Sequence, residues 1–327
     1  MTEKELRDLL EEKENPSVYL GTAITGAPHI GYFLWITRMA DFMNAGLKVK
    51  LLLADLHGAL GKTPWDSLER RYEYYEEVIP LMFEGIGVDT QSLETLRGSS
   101  FQLERKYVLD VLKYSTFVSV NDCRRAASEV VRLADNPKLS GLVYPIMQSL
   151  DEVYLDADIQ CGGVDQRKIP MFSREHLPKL GYKPRVEIMT PLIPGLMGKK
   201  MSASDQRSKI DLLDGPQVVA EKIDDAFCPA GMVEGNGVLA FLRYVIMVLK
   251  RDRGEKLVVS RPARFGGDLE FANYGDAEKA FRDKELHPSD LKKAVAEEIN
   301  VLLKPVQKHI GELEDSARRA YGPRNEK

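Results

Sequence analysis

The feature that most restricts the fold of this chain is a short, almost unbroken apolar run, Val49–Ala54, inside KVKLLLADLHGAL. A strand that is apolar on both faces is typical of a parallel sheet covered by helices on both sides. A strand is predicted at 18–24 and a helix at 32–45, so the run completes a strand–helix–strand unit. Ligands of such sheets bind beyond the carboxyl ends of the strands, where Asp55 and His57 follow this one.

The rest of the chain continues this pattern and then changes character. Three further helices are predicted, at 66–85, 104–114 and 121–135. A short strand before the Gly162-Gly163 turn and another strand at 186–193 extend the sheet, and the polar loop GKKMSASDQRS follows. Beyond about residue 211 the pattern is helical to the end, so we predict an α/β domain at 1–210 and a helical domain at 211–327.

Composition narrows the functional classes. The 327 residues are 43% hydrophobic and 29% charged, as in ordinary globular proteins. The sequence contains neither an apolar run of about 18 residues nor a signal-peptide pattern, so we expect no membrane segment and a cytoplasmic location. Three widely spaced cysteines argue against a disulfide framework and against a metal site. The net charge of −4 excludes a globally basic nucleic-acid coat but not a local basic surface.

One of only five histidines, His29, stands in TGAPHIGYFL, where a loop rich in glycine and proline gives way to an apolar helix. The amino-terminal end of a helix presents free N–H groups and the positive end of its dipole, which suit phosphate. A histidine there can donate to an oxygen that carries charge in a transition state. Local capping or packing is the simpler alternative, and it stays open at this point.

A second polar pattern lies on the apolar segment SGLVYPIMQSLDEVYL. Tyr144, Gln148 and Asp151 are spaced by four and three residues, which places them on one helical face. They suit a small zwitterionic ligand, because their oxygens can accept from an ammonium group and the carboxylate can accept a hydroxyl proton. An internal hydrogen-bond network or an exposed stripe is the alternative, since buried polar groups need partners.

Two turns carry further candidate groups. In GGVDQRK, Asp165 and Gln166 stand at a strand-to-helix switch, where a ribose or an ammonium group would be held. The loop GKKMSASDQ has two lysines, which suit a polyphosphate as it develops charge. By composition alone, however, a solvated charged loop is the favoured interpretation of the second segment.

Two short signatures carry more weight together than apart. His29-Ile30-Gly31 and Lys200-Met201-Ser202 lie about 170 residues apart and resemble the paired signatures of class I aminoacyl-tRNA synthetases. Within that class, residues 17–310 resemble tyrosyl-tRNA synthetases of the archaeal and eukaryotic type. The matching stretches are YLGTAITGAPHIGYF, LLLADLHGAL, YPIMQSLDEVYL, GGVDQRKI, PGLMGKKMSAS, AFCPAGMVEGNG, RFGGDL and KELHPSDLKKAV.

The resemblance implies an architecture and a set of partners. The first domain would be a Rossmann-like catalytic domain, with a dimer and acceptor-stem region inserted at about 105–150, and the second an α-helical anticodon-binding domain. The chain would act as a homodimer on L-tyrosine, on ATP with Mg²⁺, and on tRNA(Tyr).

The resemblance also assigns individual residues. Tyr19 and Asp151 would hydrogen-bond the phenolic hydroxyl of tyrosine, and its ammonium group would be surrounded by Tyr144, Gln148 and Gln166. The ATP phosphates would be contacted by the catalytic pair His29 and Lys200, the adenine admitted by Gly31, and the ribose held by Gly163 and Asp165. The wall of the tyrosine pocket would include His57 and Gln102.

The implied reaction has two steps. The tyrosine carboxylate attacks the α-phosphate of ATP, giving tyrosyl-adenylate and pyrophosphate, and the 3′ end of the tRNA then accepts the tyrosyl group. No enzyme nucleophile is needed, so catalysis would consist of positioning and charge stabilisation, with Mg²⁺ held mainly by phosphates and water. Phenylalanine would be rejected because it leaves Tyr19 and Asp151 unpaired, and tyrosyl enzymes are the established example of such discrimination.

Two positions depart from the class signatures. Tyr32 stands where the first signature ends in histidine, as in eukaryote-like tyrosyl enzymes, and Ala203 stands where the second usually has another lysine. Our hypothesis is that Lys199 or a bound monovalent cation partly replaces the missing charge.

Basic side chains near the middle of the chain are expected on the acceptor-stem side. Arg124, Arg125 and Arg132 fall on one predicted helix, and Arg167 and Lys168 follow Gln166. We predict that they contact phosphates and the first base pair of the tRNA. Solvated arginines on a helix are the alternative.

In the second domain, the resemblance places Phe265, His287 and Asp290 in the anticodon pocket. An aromatic side chain that stacks a splayed base and a carboxylate that pairs with its edge are what single-stranded readout requires. The segment HPSD, taken alone, is a helix start with a capping residue.

Two other functions remain open. A tryptophanyl enzyme would share the architecture, but an indole has no hydroxyl to meet Tyr19 and Asp151. A catalytically idle, synthetase-like RNA-binding protein would explain Tyr32 and Ala203 as signs of decay, yet the retained His29 argues against it. Pyrophosphate exchange with tyrosine, with tryptophan and without amino acid separates the three.

Overall fold

A parallel β-sheet forms the centre of the structure, a computed structural model that describes residues 3–61, 63–131, 136–198 and 209–323. Its strands are β1 (Ser17–Ala23), β2 (Lys48–Ala54), β3 (Leu93–Arg97), β4 (Ile159–Gly163) and β5 (Val186–Thr190). They lie in the order β3-β2-β1-β4-β5, and every neighbouring pair is parallel. A separate antiparallel pair consists of β6 (Leu257–Val259) and β7 (Leu269–Phe271).

Helices surround the sheet and make up most of the remainder. Those of the first 210 residues are α1 (Glu3–Glu12), α2 (Phe33–Asn44), α3 (Asp55–Leu60), α4 (Leu68–Gly85), α5 (Ser99–Gln102), α6 (Arg105–Ser115), α7 (Val120–Ala127), α8 (Leu139–Tyr154) and α9 (Lys168–His176). Those that follow are α10 (Pro216–Asp224), α11 (Gly237–Phe241), α12 (Met247–Asp252), α13 (Tyr274–Arg282), α14 (Pro288–Lys308) and α15 (Ile310–Tyr321). The predicted α/β fold with a helical C-terminal region is confirmed.

The strand order determines where a ligand can enter. The chain moves from β1 to β2 on one side and later returns to place β4 on the other side of β1. A crevice forms at such a reversal, beyond the carboxyl ends of the two strands that flank it. The apolar run of β2 is buried as predicted, with Leu51 and Leu53 fully inaccessible to solvent, so the sheet is a rigid base for that crevice.

Three local predictions need correction. The strand β3 was not predicted, because it lies at an edge of the sheet and its LETLR sequence is only half-buried. The helix predicted at 121–135 ends at Ala127, where the Ser128 hydroxyl donates to the carbonyl of Arg125, and residues 132–135 lie outside the described part. The predicted all-helical region contains the β6–β7 hairpin, whose three-residue strands are too short to show a period.

The C-terminal helices pack directly on the sheet domain. Helix α4 lies against both α14 and α15, and Gly85 approaches the Leu302 carbonyl so closely that a Cβ would collide with it. The backbone N–H of Ile30 also donates to the carbonyl of Ile210. The boundary at 210/211 therefore stays a prediction, because one continuous apolar core runs through both regions. None of the helices within the described ranges is long and apolar enough to cross a membrane.

Candidate active site

A cavity of about 800 Å³ opens at the carboxyl ends of β1 and β4, where the strand order reverses. Most of the residues singled out in the sequence line it: Tyr19, His29, Gly31, His57, Tyr144, Gln148, Asp151, Gly163, Asp165 and Gln166. They come from two strands, two helices and two strand-to-helix loops that are distant in sequence. The fold thus brings together groups whose separate patterns were each open to a simpler explanation.

The innermost polar group of the cavity is Asp151, whose side chain is 1% exposed. Its Oδ1 accepts hydrogen bonds from Gln102 Nε2 and from the Tyr107 hydroxyl, both at 2.8 Å. No described residue donates to its Oδ2, although His57 Nε2 lies 3.6 Å away. Burial raises the pKa of this carboxyl to about 7 in spite of the two hydrogen bonds. One carboxylate oxygen is fixed, and the other has room for a ligand's donor.

The tautomer of His57 follows from its neighbour. Burial lowers its pKa to about 4, so the ring is neutral at physiological pH. The Gln102 amide N–H group lies 3.4 Å from Nδ1, which must accept, and the proton is therefore assigned to Nε2. Nε2 is buried and finds no hydrogen-bond partner among the described residues. The His57 Nε2–H donor and the Asp151 Oδ2 acceptor thus lie side by side, 3.6 Å apart.

Tyr107 is a site residue that the sequence did not reveal. It is fully buried in α6 and fixes Asp151 through its hydroxyl. A single tyrosine on an amphipathic helix has the spacing of an ordinary core residue, so periodicity could not distinguish it. The available signal was its position near Gln102, which the family resemblance had already placed at the pocket wall.

The polar face of α8 lies in the cavity as predicted. Gln148 Nε2 donates to Gln166 Oε1 at 2.9 Å, which connects the helix to the turn after β4. Gln148 Oε1 is buried and meets no donor in the part of the chain that the structure describes. The Tyr144 ring stands edge-on to His57, with centroids 4.7 Å apart. The face therefore offers a carboxamide oxygen and a phenol to a ligand's ammonium group, and the internal network foreseen as an alternative is also present around Asp151.

The capping that was predicted as the simpler alternative for His29 is present. It is the N-cap of a 3₁₀ turn, Ile30–Tyr32, and its Nδ1 accepts from the Gly31 N–H at 3.2 Å. Burial, reinforced by the Lys209 cation, lowers its pKa to about 4. The ring is therefore neutral near pH 7 with its proton on Nε2, the nitrogen left for a ligand. Local capping orients the ring and so prepares it as a donor.

Tyr32 does not replace the signature histidine as a donor. Its hydroxyl lies 2.8 Å from that of Tyr75, which donates its own proton to the Gly26 carbonyl at 2.6 Å. Because the Tyr75 proton is used, the Tyr32 proton goes to the Tyr75 oxygen. The two tyrosines thus hold the loop before α2, and the side chain at position 32 makes a structural contact.

The turn after β4 is shaped by a close approach. A Cβ on Gly163 would lie 2.5 Å from the Asp165 carboxylate, so only glycine fits while Asp165 keeps its orientation. Both residues border the cavity. A small residue beside a carboxylate at a strand end is an arrangement that suits a ribose with its two hydroxyls.

The second signature loop lies outside the described residues, including Lys199, Lys200 and Ala203. Directly after it, Lys209 is 2% exposed and pairs with Asp211 at 3.2 Å. Asp211 also forms a backbone bridge with His29. The residues that directly follow the loop are therefore attached to the cavity at His29. The described residues contain no cluster of three or more His, Cys, Asp or Glu side chains that could hold a metal ion.

The predicted acceptor-stem residues divide into two groups. Arg124 and Arg125 are exposed on α7, and Lys168 bonds Ser128 and Glu129 just after that helix, at 2.9 and 2.8 Å. The next two residues, Val130 and Val131, line the large cavity. Arg167 instead borders a separate cavity of about 410 Å³ next to α1 and β5. Arg132 is not among the described residues.

The predicted anticodon residues lie on adjacent segments. Phe265 is 59% exposed at the end of a 3₁₀ turn, and Arg261 in the same loop donates to the carbonyl of Glu285, just before α14. His287 is the N-cap of α14, because its Nδ1 accepts from the Ser289 N–H at 3.2 Å. Asp290 follows in the first turn. The capping interpretation of HPSD is therefore correct for His287, and it leaves Phe265 and Asp290 accessible.

Comparison with known proteins agrees with this geometry. A family model described as class I tRNA synthetases (W and Y) matches residues 11–304. A cytoplasmic tyrosine–tRNA ligase of Xenopus laevis is 46% identical over 314 residues, which are 95% of this chain and 58% of that protein. A tyrosine–tRNA ligase of Haloarcula marismortui is 45% identical over 98% of this chain and 93% of its own length. The chain thus spans about three-fifths of the vertebrate relative and nearly all of the archaeal one.

A solved structure gives the same result for the fold. The tyrosyl-tRNA synthetase of Archaeoglobus fulgidus, crystallised with L-tyrosine, superposes with a TM-score of 0.87 at 40% identity, covering 95% of both chains. The resemblance first found in the signatures of the sequence is confirmed.

Proposed function

Because the chain belongs to the family of class I tRNA synthetases for tryptophan and tyrosine, we propose that it is a tyrosine–tRNA ligase. It would join L-tyrosine to ATP as tyrosyl-adenylate and then transfer the tyrosyl group to the 3′ end of tRNA(Tyr). The observation that supports this most directly is the buried Asp151, with one oxygen fixed by Gln102 and Tyr107 and the other beside the unpaired His57 Nε2–H. A phenolic hydroxyl suits these two groups because its oxygen can donate a proton to Asp151 and accept one from His57.

This pair of groups also favours tyrosine over tryptophan. An indole N–H can donate to the Asp151 carboxylate but cannot accept from His57 Nε2–H. A buried donor left without a partner costs about 1–3 kcal/mol, so tryptophan would be disfavoured roughly 5- to 150-fold by this contact alone. Phenylalanine would leave both groups unpaired and be rejected more strongly.

Activation would depend on positioning and on donors at the phosphates. The ligand's ammonium group would meet Gln148 Oε1, Tyr144 and Gln166, which direct its carboxylate toward the α-phosphate. His29 Nε2–H would donate to a phosphate oxygen as charge builds up, and Lys200 would add a cation from the second signature loop. Mg²⁺ would arrive on the ATP phosphates and help to neutralise their charge.

Pyrophosphate exchange tests the proposal directly. We expect exchange that depends on tyrosine and is at least tenfold weaker with tryptophan. Exchange with tryptophan alone would identify the chain as a tryptophanyl enzyme. If no amino acid supports exchange, the chain is an idle RNA-binding relative, and a tRNA-binding assay should then still be positive.

For the tRNA, we propose that Phe265 stacks the first anticodon base and that Asp290 pairs with its edge, as a guanine with its N1 and N2 donors would require. Both side chains stand near the start of α14, far from the cavity in sequence and reachable by a separate part of the tRNA. Asp290→Ala should lower aminoacylation about 10- to 100-fold and leave adenylate formation unchanged. Equal loss of both steps would contradict this assignment.

Near the acceptor end, we propose that Arg124, Arg125 and Lys168 contact the backbone of the stem, because they surround the α7 terminus next to the cavity mouth. Arg167 is also proposed to contact it, although it faces the smaller cavity. Replacing Lys168 with glutamine should weaken binding of every tRNA alike and reduce its salt dependence by about one counterion.

We also propose that the chain forms a homodimer through α6 and its surroundings. Apolar side chains are exposed there in unusual number: Leu103, Val108, Leu109, Leu112, Phe117, Val120 and Leu139. An exposed apolar patch of this kind marks a protein interface. Leu112→Glu should convert a dimer into a monomer in light scattering, whereas Val301→Glu, at an apolar position on α14 that is also exposed, should not.

A further inference from the structure

A buried carboxamide lies behind Tyr19 and belongs to none of the groups discussed so far. Gln160 stands on β4 directly opposite Tyr19 in the parallel register, is 3% exposed, and borders the large cavity. Nothing in its sequence context, ADIQCGG, distinguishes it from a strand residue that happens to be polar. A carboxamide in such a place must find partners for two donors and an acceptor.

Only one orientation of this amide satisfies its surroundings. Nε2 then donates to Glu152 Oε1 at 2.7 Å and to Glu187 Oε2 at 3.3 Å, and Oε1 accepts from the Tyr19 hydroxyl at 3.3 Å. The reversed amide would direct its oxygen at two carboxyl groups and its N–H groups at an O–H. The two acids lie on different elements, since Glu152 follows Asp151 in α8 and Glu187 faces Gln160 on β5. The amide is therefore held from three sides.

The two acids are suited to hold the amide without adding charge to the pocket. Both are buried, at 0% and 3% exposure, and burial raises the pKa of each; the charge of Glu187 raises the pKa of Glu152 further. The groups that face Glu187 also include Arg174 and Glu5, and Arg185 faces Glu152. Burying a pair of carboxyl groups that keeps a proton costs less free energy than burying two carboxylates. The oxygens of the pair still accept from Gln160 Nε2.

We propose that Gln160 is a positioning residue for tyrosine selection, which commits the Tyr19 proton to the wall of the pocket. This inference rests on the proposed recognition of tyrosine. The Tyr19 hydroxyl has a single proton, so a bond to Gln160 Oε1 leaves only lone pairs directed to the cavity. Tyr19 then has no proton to offer to Asp151, so the free oxygen of that carboxylate is kept for the ligand's hydroxyl.

The consequence concerns Asp151. Burial raises the pKa of the Tyr19 hydroxyl, and the charges of Glu152 and Asp151 raise it further. A Tyr19 proton that is not bound to Gln160 would therefore be attracted to the Asp151 carboxylate, which borders the same cavity. Asp151 would then accept a hydrogen bond from Tyr19. A ligand without a hydroxyl, such as phenylalanine, would leave no acceptor unpaired there and would bind less weakly relative to tyrosine. With Gln160 in place, the carboxylate still needs the ligand's proton, and the discrimination against phenylalanine is preserved.

The test is a double-mutant cycle measured by pyrophosphate exchange. Gln160→Met keeps the length of the side chain and removes the amide; we expect the ratio of kcat/KM for tyrosine to that for phenylalanine to fall about tenfold, through KM for tyrosine. In a Tyr19→Phe background the same change should have no further effect on the ratio, because no proton remains to be positioned. Equal effects of Gln160→Met in both backgrounds would overturn the proposal.

A second pair of variants guards against a general loss of structure. Glu152→Gln keeps an oxygen for Gln160 Nε2 and should leave the ratio within about twofold of wild type, whereas Glu152→Leu removes that acceptor and should lower it several-fold. If melting temperatures fall in both variants and the ratio moves in neither, the cluster is structural and the inference is wrong. Failure of the wild-type chain to use tyrosine would instead contradict the proposed function, which the same assay reports separately.

Discussion

The two ends of the cavity are built differently. At the inner end, Asp151, Gln102, Tyr107 and His57 come from four helices, are nearly inaccessible to solvent, and fix one another by hydrogen bonds. At the outer end, His29 is the donor that the described residues supply, and it is oriented by the Gly31 N–H next to it in sequence. The inner end is thus determined by long-range packing and the outer end by a local turn.

In the proposed function, the inner end would select the amino acid and the outer end would promote its activation. A rigid, dry site makes an unmatched ligand costly, because its own polar groups are left unpaired. Charge that develops on a polyphosphate instead needs donors and cations aimed at the transition state. Substitutions at the inner end should therefore change which amino acid is used, and substitutions at the outer end should change how fast it is activated.

The largest expected effect is at the outer end. His29→Ala removes the Nε2–H donor and should lower kcat of tyrosine activation about 10²- to 10³-fold while the tyrosine affinity stays within about twofold. Single-turnover kinetics and equilibrium tyrosine binding measure the two quantities separately. His29→Asn, which keeps an N–H group, should recover part of the rate, and a loss that appears mainly in tyrosine affinity would place His29 at the wrong end of the cavity.

Next in size is the effect at the inner end. Asp151→Asn replaces the acceptor of the ligand's proton, and kcat/KM for tyrosine should fall about 10- to 100-fold. The value for phenylalanine should change little, because that ligand brings no proton to Asp151. Competitive exchange assays with the two amino acids give the ratio. A parallel fall for both would mean that Asp151 supports the fold of the pocket without reading the hydroxyl.

The inner end was also harder to derive from sequence than the outer one. The junction at His29 could be recognised because its glycine and proline neighbours and the following apolar helix are local in the chain. Tyr144, Gln148 and Asp151 were found because they share one helical face. Tyr107 and Gln160 were not found, because each is a single polar residue in an otherwise ordinary amphipathic helix or strand, and its role exists only once distant elements pack together.

The same reasoning explains the errors in the fold. The apolar run of β2 identified a parallel sheet, but β3 at its edge has no buried run to reveal it. The predicted contacts of Arg167 and Lys168 with the acceptor stem stay a prediction, although the two neighbouring side chains lie in different surroundings, a small cavity and the α7 terminus. The local hydrophobic pattern predicts buried helices and strands well. Strands at the edge of a sheet, and the surroundings of neighbouring side chains, depend on tertiary contacts that the pattern does not contain.

A smaller effect concerns the free energy of unfolding, whose pH dependence should have opposite signs for Asp151 at the inner end and His29 at the outer end. Burial raises the pKa of Asp151 to about 7, whereas the unfolded chain ionises near 4. Between these pH values the native state holds a proton that the unfolded state has lost. The contribution of Asp151 to the free energy of unfolding is therefore complete below pH 4 and is lost as the pH rises to 7. The unfolding free energy should fall by about 1.4 kcal/mol per pH unit more steeply in wild type than in Asp151→Asn.

Urea unfolding at pH 5, 6 and 7 measures this difference. At the outer end the sign is opposite, because the lowered pKa of His29 stabilises the protein above about pH 6.5 and that contribution disappears as the pH falls toward 4. Parallel slopes for wild type and Asp151→Asn would show that the carboxyl is ionised in the free pocket.

The smallest effect tests how the outer end compensates for Ala203 and Tyr32. Neither can supply the charge or the proton that the signatures usually place there, since the Tyr32 hydroxyl is committed to Tyr75. If a monovalent cation and Lys199 share that function, activation should rise about three- to fivefold with K⁺ at constant ionic strength, the size expected of one partly exposed charge. Lys199→Ala should steepen this dependence, because the bound cation then acts alone. A flat response in both proteins would contradict this compensation. His29 and Lys200 would then be the two side chains proposed to stabilise the phosphates, with no added charge from Lys199 or from a cation.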